Sequence, residues 1–182
     1  MDPNTEGKTI TSLPQDLYCY CLFCNTQKAD SIAELIRQTG AVRALSPRIV
    51  QRKWVKGKTM EVEHSYLPGY VFLYADHPVE EFHRIYHIPG VLRVLGNRDD
   101  GYQLIGQDLA FARMLASMNG VIGILKAFQE GDMVKLDREV FGDFEGKIIK
   151  FDRGRKRAQI EFDFDGRKQN VWCGVDMIRM DK

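Results

Sequence analysis

The chain has 182 residues, of which 44% are apolar, and carries 26 Lys and Arg against 25 Asp and Glu. That apolar share excludes wholesale disorder and suffices for one ordinary domain or two small ones. Net charge near zero removes any global attraction to polyanions, so a nucleic-acid site has to be a local basic cluster.

Residues 1–16 mix Pro, Gly, Thr, Ser and charge without periodicity and are expected to be a flexible tail. They show no secretory leader pattern, and no run reaches about 18 apolar residues; a cytoplasmic protein with reduced thiols and no membrane span is expected. The apolar stretch from Leu17 to Phe23 suits a buried strand. Ala29, Ile32, Ala33 and Ile36 then recur at helical spacing, with Gly40 where such a helix ends. Arg43 to Trp54 reads as extended around Pro47, Lys56-Gly57-Lys58 as a turn, and a second extended run reaches Tyr74. Asp76 to Tyr86 reads as a short helix with Pro78 in its first turn. Val91 to Leu95 reads as a strand, and Leu109 to Met118 as an amphipathic helix. The order β-α-β-β-α-β is the split βαβ plan, a ferredoxin-like or RNP-like antiparallel sheet with helices packed on it. Such a sheet can leave one face free for a partner.

Residues 119–127 are expected to link this domain, 17–118, to a second at 128–182, although Val121, Ile122, Ile124 and Leu125 suit packing. From Phe128 onward short alternating runs follow one another: Met133 to Leu136, Gly146 to Phe151, Ala158 to Phe164 and Asn170 to Cys173. Asp165-Gly166 is a hairpin signal between the last two. Short strands at this spacing predict a small SH3-like β-barrel, giving an α+β chain of two domains.

Within the barrel segment, Arg153, Arg155, Lys156 and Arg157 crowd a turn around Gly154, with Lys150 just before it. Like charges so close repel, and that cost points to a polyanion partner: Arg grips phosphate bidentately and Lys acts as a point charge. Glu161 and Asp163 alternate with Ile160, Phe162 and Phe164 on the next strand, so the acidic side is expected to face away from nucleic acid. Arg167 and Lys168 lie about 20 Å further on, at about 3.3 Å per residue, and join only a long or structured RNA.

Cys19, Cys21 and Cys24 form C-x-C-x2-C, but strand alternation puts Cys24 on the face opposite the other two, and Cys173 is remote. Buried thiols are the reading, not a metal site. His83 and His87 stand four apart without a convergent third ligand, so no metal or other cofactor is expected. With no Gly-rich phosphate loop, nucleophile elbow or H-E-x-x-H, no enzyme is expected.

Three segments in order carry a resemblance: Leu67 to Leu73 (LPGYVFL), Ile88 to Gly96 (IPGVLRVLG), and Gly131 to Leu136 (GDMVKL) with Phe141, Phe144 and Gly146 beyond. Together they resemble the NusG family of transcription elongation factors, whose third segment is the KOW motif. Three departures are similar to specialised paralogs of the RfaH and LoaP antiterminator kind, LoaP more so. They are Tyr18-Cys19-Tyr20 for the usual Trp-Tyr opening, Glu139-Val140 before Phe141, and the basic loop after Phe151.

The resemblance implies a non-catalytic, monomeric antitermination factor. Its first domain would grip the β′ clamp helices of RNA polymerase through Phe23, Leu67, Tyr70 and Phe72. His83 and Arg84 would reach the polymerase gate loop or non-template DNA. Its KOW barrel would hold a hairpin of the nascent transcript through Lys150, Arg153, Arg155, Lys156 and Arg157, with Arg167 and Lys168 as a second set. Phe141 and Phe144 either meet Rho or a small-subunit ribosomal protein, or pack the barrel. The alternatives are a ribosome-associated KOW protein without polymerase function, and a general housekeeping factor.

Overall fold

A computed structural model describes residues 16–40, 42–80, 82–130, 133–136 and 144–178. The tail expected at 1–16 lies outside the described residues apart from Asp16. In chain order the first elements are β1 (Tyr18–Cys24), α1 (Ala29–Gln38), β2 (Arg43–Leu45), β3 (Arg48–Val55), β4 (Lys58–Ser65), β5 (Tyr70–Ala75), α2 (Phe82–Tyr86) and β6 (Val91–Val94). Then come α3 (Gly106–Ser117), β7 (Val121–Ile122), β8 (Leu125–Glu130), β9 (Met133–Leu136), β10 (Lys147–Asp152), β11 (Arg157–Phe164) and β12 (Arg167–Met177). They form two compact units, each discontinuous in sequence: Met1–Ser46 with Pro68–Leu104, and Pro47–Leu67 with Ile105–Lys182.

The first unit is a sheet ordered β2-β5-β1-β6, with every neighbouring pair antiparallel. On one face lies α1, whose Ala29, Ile32, Ala33 and Ile36 are buried against Leu22, Val71 and Leu73. Gly40 follows the helix at φ +68°, a backbone setting that glycine adopts without strain. The helix expected from Asp76 begins only at Phe82, because the Val79 N–H donates to the Tyr20 hydroxyl at 3.0 Å instead of entering a helical turn.

Two Pro-Gly pairs clamp the end of β1. Gly69 at φ +91° accepts from the Cys24 N–H at 2.7 Å, and Gly90 at φ +109° accepts from the Asn25 N–H at 2.8 Å. A methyl group on Gly69 would lie 2.8 Å from the Cys24 carbonyl oxygen. The turns that make the two sequence segments recognisable therefore do the same work: each brings a carbonyl to the frayed end of one strand.

The second unit contains the β3–β4 hairpin, turned by Lys56 and Gly57 at φ +49° and +78°, with β7 running parallel to β3. Its other sheet is ordered β10-β11-β12-β8-β9; β8 and β12 are parallel, the remaining pairs antiparallel, and β9 returns beside β10, nearly closing a barrel. Asp165 and Gly166, both at positive φ, form the two-residue hairpin turn between β11 and β12. Phe111 of α3 supplies the core, stacking on Phe162 at 5.3 Å and 9° and meeting Phe144 and Phe164, each at 5.3 Å. Residues 119–127 hold β7 and the start of β8, with Ile122, Leu125 and Ala127 buried. Residues 47–67 and 105–118, assigned from sequence to the first domain, pack with the C-terminal strands.

Candidate nucleic-acid interface

The basic turn is organised by a carboxylate. Asp152 ends β10 and accepts from the Arg155 backbone N–H at 3.0 Å and from Arg157 Nε at 3.3 Å. Those partners, the Arg155 N–H first, hold its carboxyl below the usual range. The left-handed residue is Lys156, at φ +48°, and Gly154 takes no positive φ. This corrects the expectation that Gly154 makes the turn: the chirality is carried by a lysine at some cost in strain, and Asp152 offsets the crowding of charge.

Cross-strand register fixes what shares a face with the turn. Lys150 lies opposite Gln159 and Gln159 opposite Trp172; Asp152 lies opposite Arg157 and Arg157 opposite Gly174. Ala158, Ile160, Phe162 and Phe164 point inward, which leaves Arg157, Gln159, Glu161 and Asp163 on the outer face together. The acidic side of β11 therefore does not face away from the basic one; it is displaced along the strand, and Lys168 Nζ pairs with Glu161 at 3.1 Å. Arg167 and Lys168 stand at the opposite end of the β11–β12 hairpin from Arg157. Arg153 turns toward β8, donating to Gln129 Oε1 at 3.0 Å.

The same face meets the β3–β4 hairpin. Gln51 Nε2 donates to the Trp172 carbonyl at 2.7 Å, and the Arg52 guanidinium makes two 2.8 Å bonds to the Asp176 carboxylate. Those bonds raise Arg52 further and hold Asp176 below its ordinary value. Gly174 permits the approach, since a Cβ there would collide with the Ile124 side chain and come within 3.6 Å of the Val50 carbonyl. Between hairpin and turn lies a cleft of about 720 Å³, bordered by Arg52, Lys53, Arg155, Lys156 and Arg157 and by Trp54 and Trp172. The Arg157 guanidinium covers the Trp172 ring at 4.3 Å. Trp54 is 75% exposed.

Sequence reasoning missed the hairpin half of this cleft. The signal was present, because Arg52-Lys53-Trp54-Val55-Lys56-Gly57-Lys58 interleaves cations with a large aromatic. What no local pattern shows is that this stretch and the turn some hundred residues later border one hollow.

The aromatic set assigned to polymerase is only partly gathered. Tyr70, Phe23 and Arg93 form a row across β5, β1 and β6: the Tyr70 and Phe23 rings lie 5.0 Å apart, and the Arg93 guanidinium is 5.9 Å from the Phe23 centroid. Phe23 is half-buried and Arg93 exposed. Phe72, however, is 0% exposed and Tyr70 8%. All six residues of β5 are buried, and its near-continuous apolar run, Tyr70 to Ala75, is the pattern of a buried strand. Leu67, buried and at φ +52°, falls in the other compact unit. His83 and Arg84 are exposed on α2. Phe144 is buried, while Phe141, Gly131 and Asp132 lie outside the described residues.

The cysteines follow strand geometry. Cys24 packs with Tyr20 and Leu22 on the α1 side, whereas Cys19 and Cys21 pair across from Tyr74 and Phe72 on the other. Burial pushes the Cys24 thiol up to about 11 and the Cys173 thiol to about 12. Among the described residues no helix is long and apolar enough to cross a membrane.

Comparison with known proteins gives one family. The model described as "Transcription termination factor nusG" matches residues 18–112. The chain is similar to the transcription termination/antitermination protein NusG of Pasteurella multocida, 26% identical over 136 residues, covering 74% of this chain and 73% of that one. It is likewise 26% identical over 118 residues to the same-named protein of Helicobacter pylori strain 26695, covering 64% of this chain and 66% of that one. A solved structure of Thermotoga maritima NusG aligns at a TM-score of 0.49 and 20% identity, covering 88% of this chain and 95% of that one.

Proposed function

We infer function from one premise: this chain belongs to the NusG family. On that premise it is a cytoplasmic transcription termination/antitermination factor that acts by binding RNA polymerase, without catalysis of its own. The family match across residues 18–112 is the observation that carries this reading.

Within the first unit, the half-buried ring of Phe23 beside Arg93 supports a polymerase contact better than Phe72 does. An aromatic that retains exposure and is already packed on its neighbours anchors a partner at little entropic cost. Exposed His83 and Arg84 on α2 are secondary contacts in this reading. The basic turn at Arg153 to Arg157 is proposed to touch the nascent transcript, and that element supports a specialised antiterminator over a housekeeping factor. Burial of Phe144 against Phe111 supports packing, not partner contact, at that position.

The test is transcription in vitro through an intrinsic terminator with cognate RNA polymerase and the full-length chain. Altered readthrough together with co-migration of protein and polymerase is expected, and Phe23→Ala is expected to weaken association about tenfold or more. Wild-type protein that neither associates nor changes readthrough would overturn the reading.

A further inference from the structure

We propose that the cleft between the β3–β4 hairpin and the β10–β11 turn holds an unpaired nucleotide of a single-stranded nucleic acid, its base stacked on Trp54. This rests on the nucleic-acid reading of the basic turn and deepens it, because a charged turn alone binds phosphates without distinguishing a duplex from a single strand.

Three observations converge. The cleft's volume of about 720 Å³ lies within the range of roughly 300–1,000 Å³ usual for small-ligand sites. Its charged side chains are all cationic: Arg52, Lys53, Arg155, Lys156 and Arg157. Some of that charge is already spent, since Arg52 is bound to Asp176 and Arg157 to Asp152. Lys53 has no carboxylate partner among the described residues, and the Arg155 side chain is 73% exposed with Asp152 only at 4.0 Å. Those two border the hollow and are cations left to take phosphate.

The aromatic component separates a single strand from other polyanions. Trp54 stands exposed on β3 next to the hairpin turn, opposite Thr59, with its ring bordering the cleft. A tryptophan held out in water on a two-stranded ribbon gains little from the fold. A π-face beside phosphate-binding cations is the arrangement by which unpaired bases are stacked while their backbone is tracked. Bases within a duplex are already stacked on each other and cannot reach it. Trp172 is the floor, its ring covered by Arg157, so Trp54 is the face left to take a base.

Both tryptophans of the chain border the cleft, so fluorescence excited at a wavelength where tyrosine does not absorb reports on it. The full-length protein is titrated with a mixed-sequence ten-nucleotide RNA, the same sequence as DNA, and a blunt RNA duplex, and its association with core RNA polymerase is followed separately by co-migration. Saturable quenching by the single strands, at least tenfold tighter than by the duplex, is expected. Trp54→Ala, at an exposed site that leaves the fold intact, is expected to weaken single-strand binding about tenfold while leaving duplex binding unchanged. Arg155→Gln is expected to lower the salt slope of single-strand binding by about 0.7. Equal quenching by RNA and DNA, or preference for RNA, supports the site, the latter assigning it to transcript. Duplex bound as tightly as single strand, with Trp54→Ala silent, overturns the stacking site but leaves the basic turn as an RNA contact. No binding of any nucleic acid overturns both. Loss of polymerase association in Trp54→Ala, with nucleic-acid binding unchanged, assigns the cleft to a protein partner and also overturns the proposal.

Discussion

Phe72 and Phe23 lie two pairings apart on one sheet face, yet they meet opposite fates: one, paired with Leu45 and Cys21 on the flanking strands, is fully buried, and the other keeps exposure beside Arg93. Phe72→Ala is expected to destabilise the chain by about 3–5 kcal/mol, measured by denaturant unfolding, as for other fully buried aromatics. Phe23→Ala is expected to cost far less, so association lost with Phe23→Ala cannot be attributed to unfolding. Lys156 offers a case in the opposite direction. Its φ of +48° is strained for a residue with a Cβ, so Lys156→Gly is expected to stabilise by roughly 0.5–1 kcal/mol in the same measurement. Sequence periodicity separated Cys19 and Cys21 from Cys24 and placed the inward residues of β11, because alternation is a local property. It did not separate Phe23 from Phe72, since how far a face is covered depends on what the rest of the chain lays over it.

The elements most legible in the sequence were those with their own period or turn chemistry: α1 with its apolar stripe and Gly40, and the β11–β12 hairpin around Asp165-Gly166. The sequence extends helix α2 back to Asp76 because Pro78 permits a helix start, and only the bond from Val79 to Tyr20 shows that the chain is committed elsewhere. The Pro-Gly segments are instructive because they identified the family while their physical work is the closure of β1. Gly69→Ala places a methyl group 2.8 Å from a backbone carbonyl at a φ that L-residues avoid. A loss of about 2–3 kcal/mol is expected, read as a lower unfolding midpoint. Unlike a side-chain clash, this one has no flexible atom to give way.

For the whole molecule, the compact units do not follow the order of the chain. Phe111 of α3 is packed by Phe144, Phe162 and Phe164, so a fragment ending at residue 118 leaves that ring without its cover. Such a fragment is expected to bind the dye ANS more strongly than the full-length protein; equal binding would show that α3 needs no barrel. The same packing carries a pH dependence. Asp108 on α3 accepts the Asp165 N–H at 3.1 Å, and burial raises its carboxyl above the ordinary value. A raised carboxyl means that the folded chain holds its proton more tightly than the unfolded one, so this group loses stability as pH climbs from the unfolded value through the folded one. Asp108→Asn is therefore expected to be more stable than the parent at pH 7, with the gap closing as the solution is acidified. Discontinuity also imposes a schedule on synthesis. The β3–β4 hairpin leaves the ribosome about a hundred residues before β12, the central barrel strand against which Gln51 and Arg52 bond. At about 5–20 residues per second the hairpin waits some 5–20 seconds for its support. Nascent chains arrested before β12 should thus be cut by protease between Val55 and Lys58, and finished chains should resist.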